Sequence, residues 1–363
     1  MQVRAPAAVL ERSADPGGVR AALERIERAQ PQLWARVDEV PGAVDRLVAV
    51  LAASRHLADL LATDGEALDA VVHPERRAPV PGSADALPAW TRRELLRIAA
   101  RDLAERPPLL EVTGALSALA RDVLRAVHGH VASTLGGEAT LAVVGMGKLG
   151  GDELNYASDV DLLLVGEGDP QALEAAGREL LRLAGRCFRV DANLRPEGRD
   201  GPLVRTVASY EAYWDRWAQP WERQALLRAV PVAGDAGLLG RWMDRAGAVV
   251  WGRPLSPDEL RSLRALKTRA EGASRRRGDG DRDVKHGPGG IRDIEFAAQL
   301  LQLVHGPADA ALRVPGTLAA LRALAEGGYV DPADAATLAE SYAFLRQVEH
   351  AVQLRDGHQV HAV

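Results

Sequence analysis

The sequence predicts a mainly α-helical protein in which a small mixed sheet is embedded between helical bundles. Over most of the chain, apolar residues recur at steps of three and four, as they do on amphipathic helices. Near the centre this spacing gives way to short apolar runs that are typical of strands. The length of 363 residues is sufficient for two or three domains.

The composition argues against several classes of protein. Hydrophobic residues make up 47% and charged residues 26%, the balance of an ordinary globular protein rather than a disordered one. The net charge of −5 provides no basic field for coating nucleic acid. Because the apolar runs are too short for a membrane helix and no leader pattern is present, we expect a cytoplasmic protein without nucleic-acid or membrane partners.

Cysteine and lysine are both rare in the chain. The single cysteine, Cys187, cannot form an internal disulfide, and no Cys/His cluster has zinc spacing, so we expect any metal to be held mainly by oxygen. Lysine occurs only at Lys148, Lys267 and Lys285. In a chain that otherwise uses arginine, a lysine can mark a site that needs a compact ammonium group.

The first predicted domain, residues 1–108, is helical. Apolar periodicity predicts several helices between Ala21 and Val72, and the Pro-, Ala-, Gly- and Ser-rich stretch 73–88 is typical of a linker. Helical periodicity resumes at Arg92, and the pair Pro107–Pro108 ends that helix.

The second predicted domain, residues 109–235, contains the sheet. A helix from Leu109 or Thr113 to Leu135 is expected to end at the left-handed cap formed by Gly136–Gly137. Beyond it, we predict strands over 140–145, 160–165 and 188–194, with a helix over 173–183. Trp214, Trp217 and Trp221 are expected to anchor the core because aromatic side chains bury large areas, and a helix is predicted over 221–229.

The third predicted domain, residues 236–363, is again helical. We expect a helix over 259–273 and a polar loop over 275–290. Further helices are predicted to begin at Ile291, Thr317, Pro332 and Thr337.

The segment Leu141–Val165, LAVVGMGKLGGDELNYASDVDLLLV, has two possible interpretations as a nucleotide loop. Three glycines in it match the G-x-G-x-x-G dinucleotide pattern of a dehydrogenase. Only about fourteen residues separate Gly145 from Val160, too few for the crossover helix that parallel strands need. A P-loop is also disfavoured, because Lys148 is followed by Leu149 rather than Ser or Thr.

Three aspartates suggest metal-dependent phosphoryl chemistry. Asp159 and Asp161 are two residues apart on a strand, so both side chains lie on one face, and a divalent cation would relieve their repulsion. Asp191 lies on the polar face of the strand over 188–194. If the two strands are neighbours, the three carboxylates form a Mg²⁺ site. The alternative is three surface charges at strand ends, which the upstream glycine-rich turn with Lys148, a natural phosphate cradle, disfavours.

A second glycine-rich element is Lys285–Phe296, KHGPGGIRDIEF, which leads directly into a helix. The N–H groups and dipole of a helix N-terminus favour an anion. Arg292, Glu295, Gln299 and Gln302 would form a polar strip on that helix. The alternative is a solvated helix face beside a tight turn. The presence of two of the three lysines in the two glycine loops favours a functional site.

Together these motifs resemble those of the glutamine synthetase adenylyltransferase/adenylyl-removing enzyme family, which has two nucleotidyltransferase domains related to DNA polymerase β. The matching stretches extend from Gly145 to His350 in the family's order: GMGKLGGDELNYASDVDLLL, RVDANLRPEGRDGPLVRT, RWAQPWERQALLRA, KHGPGGIRDIEF and FLRQVEH. The resemblance implies that residues 109–235 form a nucleotidyltransferase domain of the DNA polymerase β type.

The resemblance also implies roles for ten residues. Contacts with the nucleotide phosphates are implied for Gly147, Lys148 and Ser158, and phosphate binding for Arg195. Catalysis and Mg²⁺ binding are implied for Asp159, Asp161 and Asp191. The helical domain that closes over the nucleotide would supply Lys285, Arg292 and Glu295.

The resemblance implies that this chain corresponds to the N-terminal half of a longer family protein. The expected reaction is then phosphorolysis of the adenylyl-tyrosine of glutamine synthetase, with Mg²⁺ and phosphate, giving ADP. One alternative is ATP-dependent adenylylation of glutamine synthetase. Another is a non-catalytic module that docks glutamine synthetase or the PII signal protein.

Overall fold

The computed structural model describes residues 7–11, 13–135, 137, 139–276 and 283–358, which are mainly helical and include one small mixed sheet. The first part is a bundle of short helices whose apolar faces meet around Leu47, Leu61 and Val71, all fully buried. The helices are α1 (Ala7–Glu11), α2 (Pro16–Ala29), α3 (Leu33–Asp38), α4 (Ala43–Ala53), α5 (Arg55–Thr63) and α6 (Ala67–Val72). The helical prediction for residues 21–72 is confirmed.

Two long helices connect this bundle to the sheet: α7 (Leu87–Glu105) and α8 (Leu109–Ala132). Helix α7 begins five residues before Arg92, because Pro88 fits the first turn of a helix, where its missing N–H needs no partner. The predicted stop at Pro107–Pro108 is confirmed. The predicted glycine cap of α8 is wrong, since Ser133 follows the last helical residue; Gly137 lies beyond it with φ +83°, and Gly136 is outside the described residues.

The sheet has the strand order β3–β2–β1–β5, with β4 also paired to β2. The strands are β1 (Ala139–Gly145), β2 (Val160–Gly168), β3 (Val190–Asp191), β4 (Val204–Arg205) and β5 (Val230–Gly234). Strands β1 and β2 are antiparallel, and they are joined by a single helical turn, α9 (Gly147–Gly150). This pairing excludes the dinucleotide-binding βαβ unit, whose strands are parallel.

The strand predicted over 188–194 is shorter than expected, because β3 contains only two residues. Asp191 Oδ1 accepts a hydrogen bond from the Asn193 backbone N–H at 2.6 Å, a local bond that turns the chain out of the sheet. The predicted neighbour relation is confirmed: β2 and β3 are parallel, and Asp161 stands opposite Asp191. Strands β4 and β5 were not predicted, since one is two residues long and the other carries Pro231.

Both faces of the sheet are covered, as the alternation of side chains along a strand requires. Leu162 and Leu164 pack with α8 and α10 (Pro170–Ala184), which confirms the helix predicted over 173–183. Leu163 and Val165 face the opposite side, where they join a cluster centred on Trp242. The sheet is therefore a middle layer between two groups of helices.

The remaining helices follow the sheet in the chain, and their bounds are α11 (Val207–Arg216), α12 (Pro220–Leu226), α13 (Ala236–Trp251), α14 (Pro257–Arg276), α15 (Ile291–His305), α16 (Thr317–Glu326) and α17 (Pro332–Asp356). The helix predicted over 221–229 is thus shorter, and Thr337 lies inside α17 rather than at a new helix start. Of the polar loop predicted over 275–290, two residues belong to α14 and residues 277–282 lie outside the described part. The predicted domain boundaries at residues 108 and 235 stay predictions.

The prediction that three tryptophans anchor the core is correct only for Trp214. It packs on Tyr210 and Trp242, with ring centroids 5.2 and 5.6 Å away. Trp217 is 66% exposed and Trp221 is 38% exposed. Helix α11 ends at Arg216, so the spacing of three and then four residues does not place the tryptophans on one buried helix face.

Helix α17 connects the two helical parts of the chain. It packs against α15 and α16 and also against α4 and α5 of the first bundle. None of the helices in the described part of the chain is both long enough and apolar enough to cross a membrane.

We expect Trp242→Ala to lower the free energy of unfolding by about 3–5 kcal/mol, because it removes a fully buried ring from the aromatic cluster. Trp217→Ala is the matched control and should change it by less than about 0.5 kcal/mol. Urea titration followed by circular dichroism measures both values. Equal losses in the two variants would contradict this assignment of the core.

Candidate functional site

A cavity of about 710 Å³ lies between the β1–β2 connection and helices α12, α14 and α15. Most of the residues predicted from the sequence line it: Gly147, Lys148, Ser158, Asp159, Asp161, Lys285, Arg292 and Glu295. The structure therefore brings the two glycine-rich elements together, although more than 130 residues separate Lys148 from Lys285. Asp191 and Arg195 are not among the lining residues.

Gly147 occupies a position at which only glycine fits. Its φ of +53° is in the left-handed region, and a Cβ atom built there would collide with the Asp161 carboxylate. The Met146 N–H also donates to the Asp161 carbonyl at 2.9 Å. The turn that follows β1 is thus pressed against the candidate metal ligand on β2.

The three predicted carboxylates lie near one another: Asp161 is on β2, Asp191 is on the adjacent strand β3, and Asp159 directly precedes β2. Burial, followed by the charges of Asp191 and Asp159, raises the pKa of Asp161 to about 6. Asp159 pairs with Arg189 Nε at 2.9 Å, and Asp191 holds the Asn193 N–H. The like-charge repulsion on Asp161 favours a cation at this place.

The residues present fit an open Mg²⁺ site rather than a closed one. In the described part of the chain, no group of three or more His, Cys, Asp or Glu side chains is arranged to hold a metal ion. Magnesium at nucleotide sites is usually held by one or two carboxylates, with water and substrate phosphates completing its shell. Asp161, facing the same cavity as Asp159, offers oxygen donors of this kind.

Lys148 is paired across the cavity wall with a residue that the sequence reasoning missed. Its Nζ lies 3.3 Å from each carboxylate oxygen of Glu349, which is fully buried on α17. Burial, with the nearby charge of Arg346, lowers the pKa of Lys148 to about 8, although Glu349 opposes the shift. A phosphate that binds Lys148 would therefore compete with Glu349.

Helix α17 presents a buried polar face to the β1–β2 connection. Arg346 donates to the Glu153 carbonyl at 2.5 Å and to Asn155 Oδ1. His350 Nε2 lies 3.2 Å from the same Asn155 oxygen. Gln353, one turn further along α17, accepts the Ala157 N–H at 3.0 Å. The FLRQVEH motif supplies Arg346 and His350, although the sequence analysis used this motif only for the family resemblance.

A second buried network joins the connection to the helical part. Arg228 is bound at 2.7 Å by both Glu153 Oε2 and Thr317 Oγ1, and its other contact is Glu295 at 3.5 Å. Burial would raise the pKa of Glu295, but Arg228 and the neighbouring cations lower it overall. Tyr342 completes the network through its hydroxyl, 3.4 Å from Glu295. Glu295 is thus a negative lining residue whose charge is held by Arg228.

Arg195 lies in the loop after β3, where it stabilises the backbone. Its guanidinium donates to the Ala192 carbonyl at 2.8 Å and to the Gly201 carbonyl at 3.3 Å. The phosphate-binding role of Arg195 stays a prediction. Ser158 does line the cavity, and its Oγ accepts the Asn155 N–H at 3.0 Å.

The predicted polar strip of α15 is only partly correct. Arg292 is exposed, and Glu295 and Gln299 line the cavity. Gln302 is instead 3% exposed, and its amide donates to the Leu312 and Val314 carbonyls at 2.7 Å each. The strip therefore ends at Gln299, because the next turn packs against the loop that precedes α16.

Comparison with known proteins matches two family models, one described as glutamate-ammonia ligase adenylyltransferase over residues 81–242 and one described as GlnD PII-uridylyltransferase over residues 262–363. The bifunctional glutamine synthetase adenylyltransferase/adenylyl-removing enzyme of Streptomyces avermitilis is 42% identical over 97% of this chain and 38% of that protein. Nearly the whole chain is thus similar to a part of the glutamine synthetase adenylyltransferases.

Two further relatives carry the same description. The protein of Streptomyces coelicolor is 41% identical over 100% of this chain and 40% of its own length. That of Mycobacterium tuberculosis strain H37Rv is 45% identical over 74% of this chain and 28% of its own length. The chain thus spans about two fifths, or less, of the length of these relatives.

We expect Asp161→Asn to raise the free energy of unfolding of the chain near pH 7.5 in EDTA by up to about 3 kcal/mol. The folded-state pKa of about 6 exceeds the ordinary value of 3.8, so ionisation of Asp161 costs stability as the pH rises between these values. The gain should be complete above this range and absent below it.

Urea titrations at several pH values measure this gain. Asp244→Asn, at an exposed position of α13, is the control and should change stability by less than about 0.5 kcal/mol. A loss of stability in Asp161→Asn near pH 7.5 would show that the carboxylate is favourable where it lies.

Proposed function

We propose that this chain is a Mg²⁺-dependent nucleotidyltransferase that controls glutamine synthetase, and that it removes AMP from the adenylyl-tyrosine by phosphorolysis. The observation that carries the proposal is the pairing of Asp161 with Asp191 on parallel strands, with the left-handed turn of Gly147 pressed against Asp161. The names of the relatives supply the protein substrate. The DNA polymerase β type of the domain is part of the same proposal.

The proposed reaction exchanges one phosphorus–oxygen bond for another. An oxygen of inorganic phosphate attacks the phosphorus of the adenylyl group, the bond to the tyrosyl oxygen breaks, and that oxygen leaves and takes up a proton. The products are ADP and unmodified tyrosine. Such transfers depend mainly on positioning and on charge stabilisation, and only slightly on covalent catalysis by the protein.

The residues of the cavity divide this work between opposite charges. Asp159 and Asp161, with Asp191 behind them, would hold Mg²⁺. When bound, the metal would neutralise charge on the phosphate oxygens. Lys285 and Arg292 would orient the phosphates from the α15 side, and Lys148 would do so from the β1–β2 turn.

Lys148 would exchange its contact with Glu349 for a contact with a phosphate when a ligand binds. In the structure its ammonium group is held by Glu349, so the cavity is already electrically balanced on that side. Binding of a phosphate there would shift Lys148 from one anion to another. This competition favours ligands that bring several negative charges, as the adenylyl group and the attacking phosphate together do.

We expect Asp159→Asn and Asp161→Asn each to reduce ADP release by at least about 100-fold, because each removes charge at the centre of the transfer. The assay combines the chain with adenylylated glutamine synthetase, Mg²⁺ and phosphate, in the presence and absence of PII protein. Asp244→Asn is the control and should retain activity. Circular dichroism should show that all three variants are folded.

Each result of this assay has a distinct meaning. ADP that appears only with phosphate supports phosphorolysis. Pyrophosphate released from ATP and unmodified glutamine synthetase would instead indicate adenylylation. Nucleotide binding without turnover would indicate a module that docks glutamine synthetase or PII. Full activity in both aspartate variants would rule out the carboxylate site.

A further inference from the structure

The cavity is lined by two chemically different groups of residues. The charged residues come mainly from the β1–β2 connection, from β2, from the segment around Lys285 and from the N-terminal part of α15, and Arg228, Lys267 and Glu271 add further charges. The second group comes from the loop after β3 and from α12, α14 and α15, and it is largely apolar: Leu194, Trp221, Ala225, Leu263, Leu266 and Phe296. A nucleotide has the same division, because its phosphates are charged and its base is flat and weakly polar.

Helix α15 shows how far apart the charged residues and the apolar wall lie. Arg292 and Gln299 both line the cavity, and they are seven residues apart on one helix. Seven residues make two turns, so both side chains lie on one face, about 10 Å apart along the axis. The charged group is therefore at the N-terminal end of this face, and Gln299 is further along it.

Trp221 is the largest side chain of the apolar wall. It is 38% exposed although it belongs to a residue type that usually buries most of its surface. Trp217, four residues earlier, is still more exposed but does not line the cavity. Of these two tryptophans, Trp221 is therefore the one that a ligand in the cavity would contact.

Two amide side chains of this wall form a polar pair. Gln224 Nε2 donates to Gln299 Oε1 at 2.8 Å, so the other oxygen and the other nitrogen of the pair can serve a ligand as one acceptor and one donor. In the orientation that the structure gives the two amides, Gln224 Oε1 is the remaining acceptor and Gln299 Nε2 is the remaining donor, and reversing both amides would exchange these roles. The Watson–Crick edge of adenine presents one donor, its amino group, next to one acceptor, its ring nitrogen.

From these observations we infer that Trp221 stacks on the adenine base of the nucleotide and that the Gln224–Gln299 pair recognises its polar edge. The inference rests on the proposed function and adds the base-binding half of the site. Aromatic stacking suits this role because every base has a flat face, whereas the amide pair supplies the preference for adenine.

Calorimetric titration of the chain with Mg²⁺ and ADP, or with Mg²⁺ and pyrophosphate, tests the stacking role. Trp221→Ala should weaken ADP binding by about 5- to 100-fold and leave pyrophosphate binding unchanged. Trp221→Phe should recover most of the ADP affinity. Trp217→Ala is the matched control and should bind both ligands as the wild type does.

The results separate this inference from the function on which it rests. Wild-type ADP affinity in Trp221→Ala would overturn the stacking role and leave the proposed function intact. An equal loss for ADP and pyrophosphate would also overturn it, because the effect would not be specific to the base. Failure of the wild-type chain to bind ADP would overturn both proposals.

The amide pair is tested by comparing ADP with GDP. The wild type should prefer ADP, and Gln224→Leu should reduce this preference by about tenfold while pyrophosphate binding is retained. Guanine reverses the donor and acceptor at the matching positions, so its binding should improve relative to ADP in the variant. Equal wild-type affinities for ADP and GDP would overturn recognition by the pair.

Discussion

Burial of charged side chains between α17 and the β1–β2 connection is the constraint on which the rest of the site depends. Arg346 and Glu349 are fully buried, and Arg346 holds the connection through Glu153 and Asn155, about 190 residues earlier in the chain. Glu349 lies 3.3 Å from both Arg346 Nε and Lys148 Nζ, and removal of one partner from such a buried ionic contact costs about 3–5 kcal/mol, because the remaining charge is left uncompensated. The loop that carries the candidate ligands is therefore held by a distant helix.

Through α17, this arrangement connects parts of the chain that are far apart in the sequence. Helix α17 contacts α4 and α5 of the first bundle, the β1–β2 connection and the helices α15 and α16. Any displacement of α17 must alter the contact of Lys148 with Glu349 and hence the charge that faces the cavity. The position of the first bundle is linked in this way to the phosphate side of the site.

The sequence predicted the features that depend on local periodicity. Helices appear where apolar residues recur at helical spacing, and the two strands that carry Asp161 and Asp191 are neighbours, the condition under which the sequence predicted a carboxylate site. Features that depend on partners distant in sequence were missed. Glu349 is a polar residue buried beside Lys148, and Trp217 and Trp221 are aromatic residues left exposed, so residue type alone predicts the wrong environment. Only the packing of separate helices determines these cases.

Two groups of the cavity are held in states that burial disfavours, and their pKa shifts are opposite in direction. Burial and like charges raise the pKa of Asp161, whereas burial and Arg346 lower that of Lys148. A ligand of a single charge can relieve only one of them. A divalent cation carried by nucleotide phosphates brings positive charge to Asp161 and negative charge to Lys148, so it relieves both at once. Burial of Asp161 and Lys148 lowers the stability of the chain without ligand. For the same reason, it favours binding of a metal–nucleotide complex over binding of the metal or the nucleotide alone.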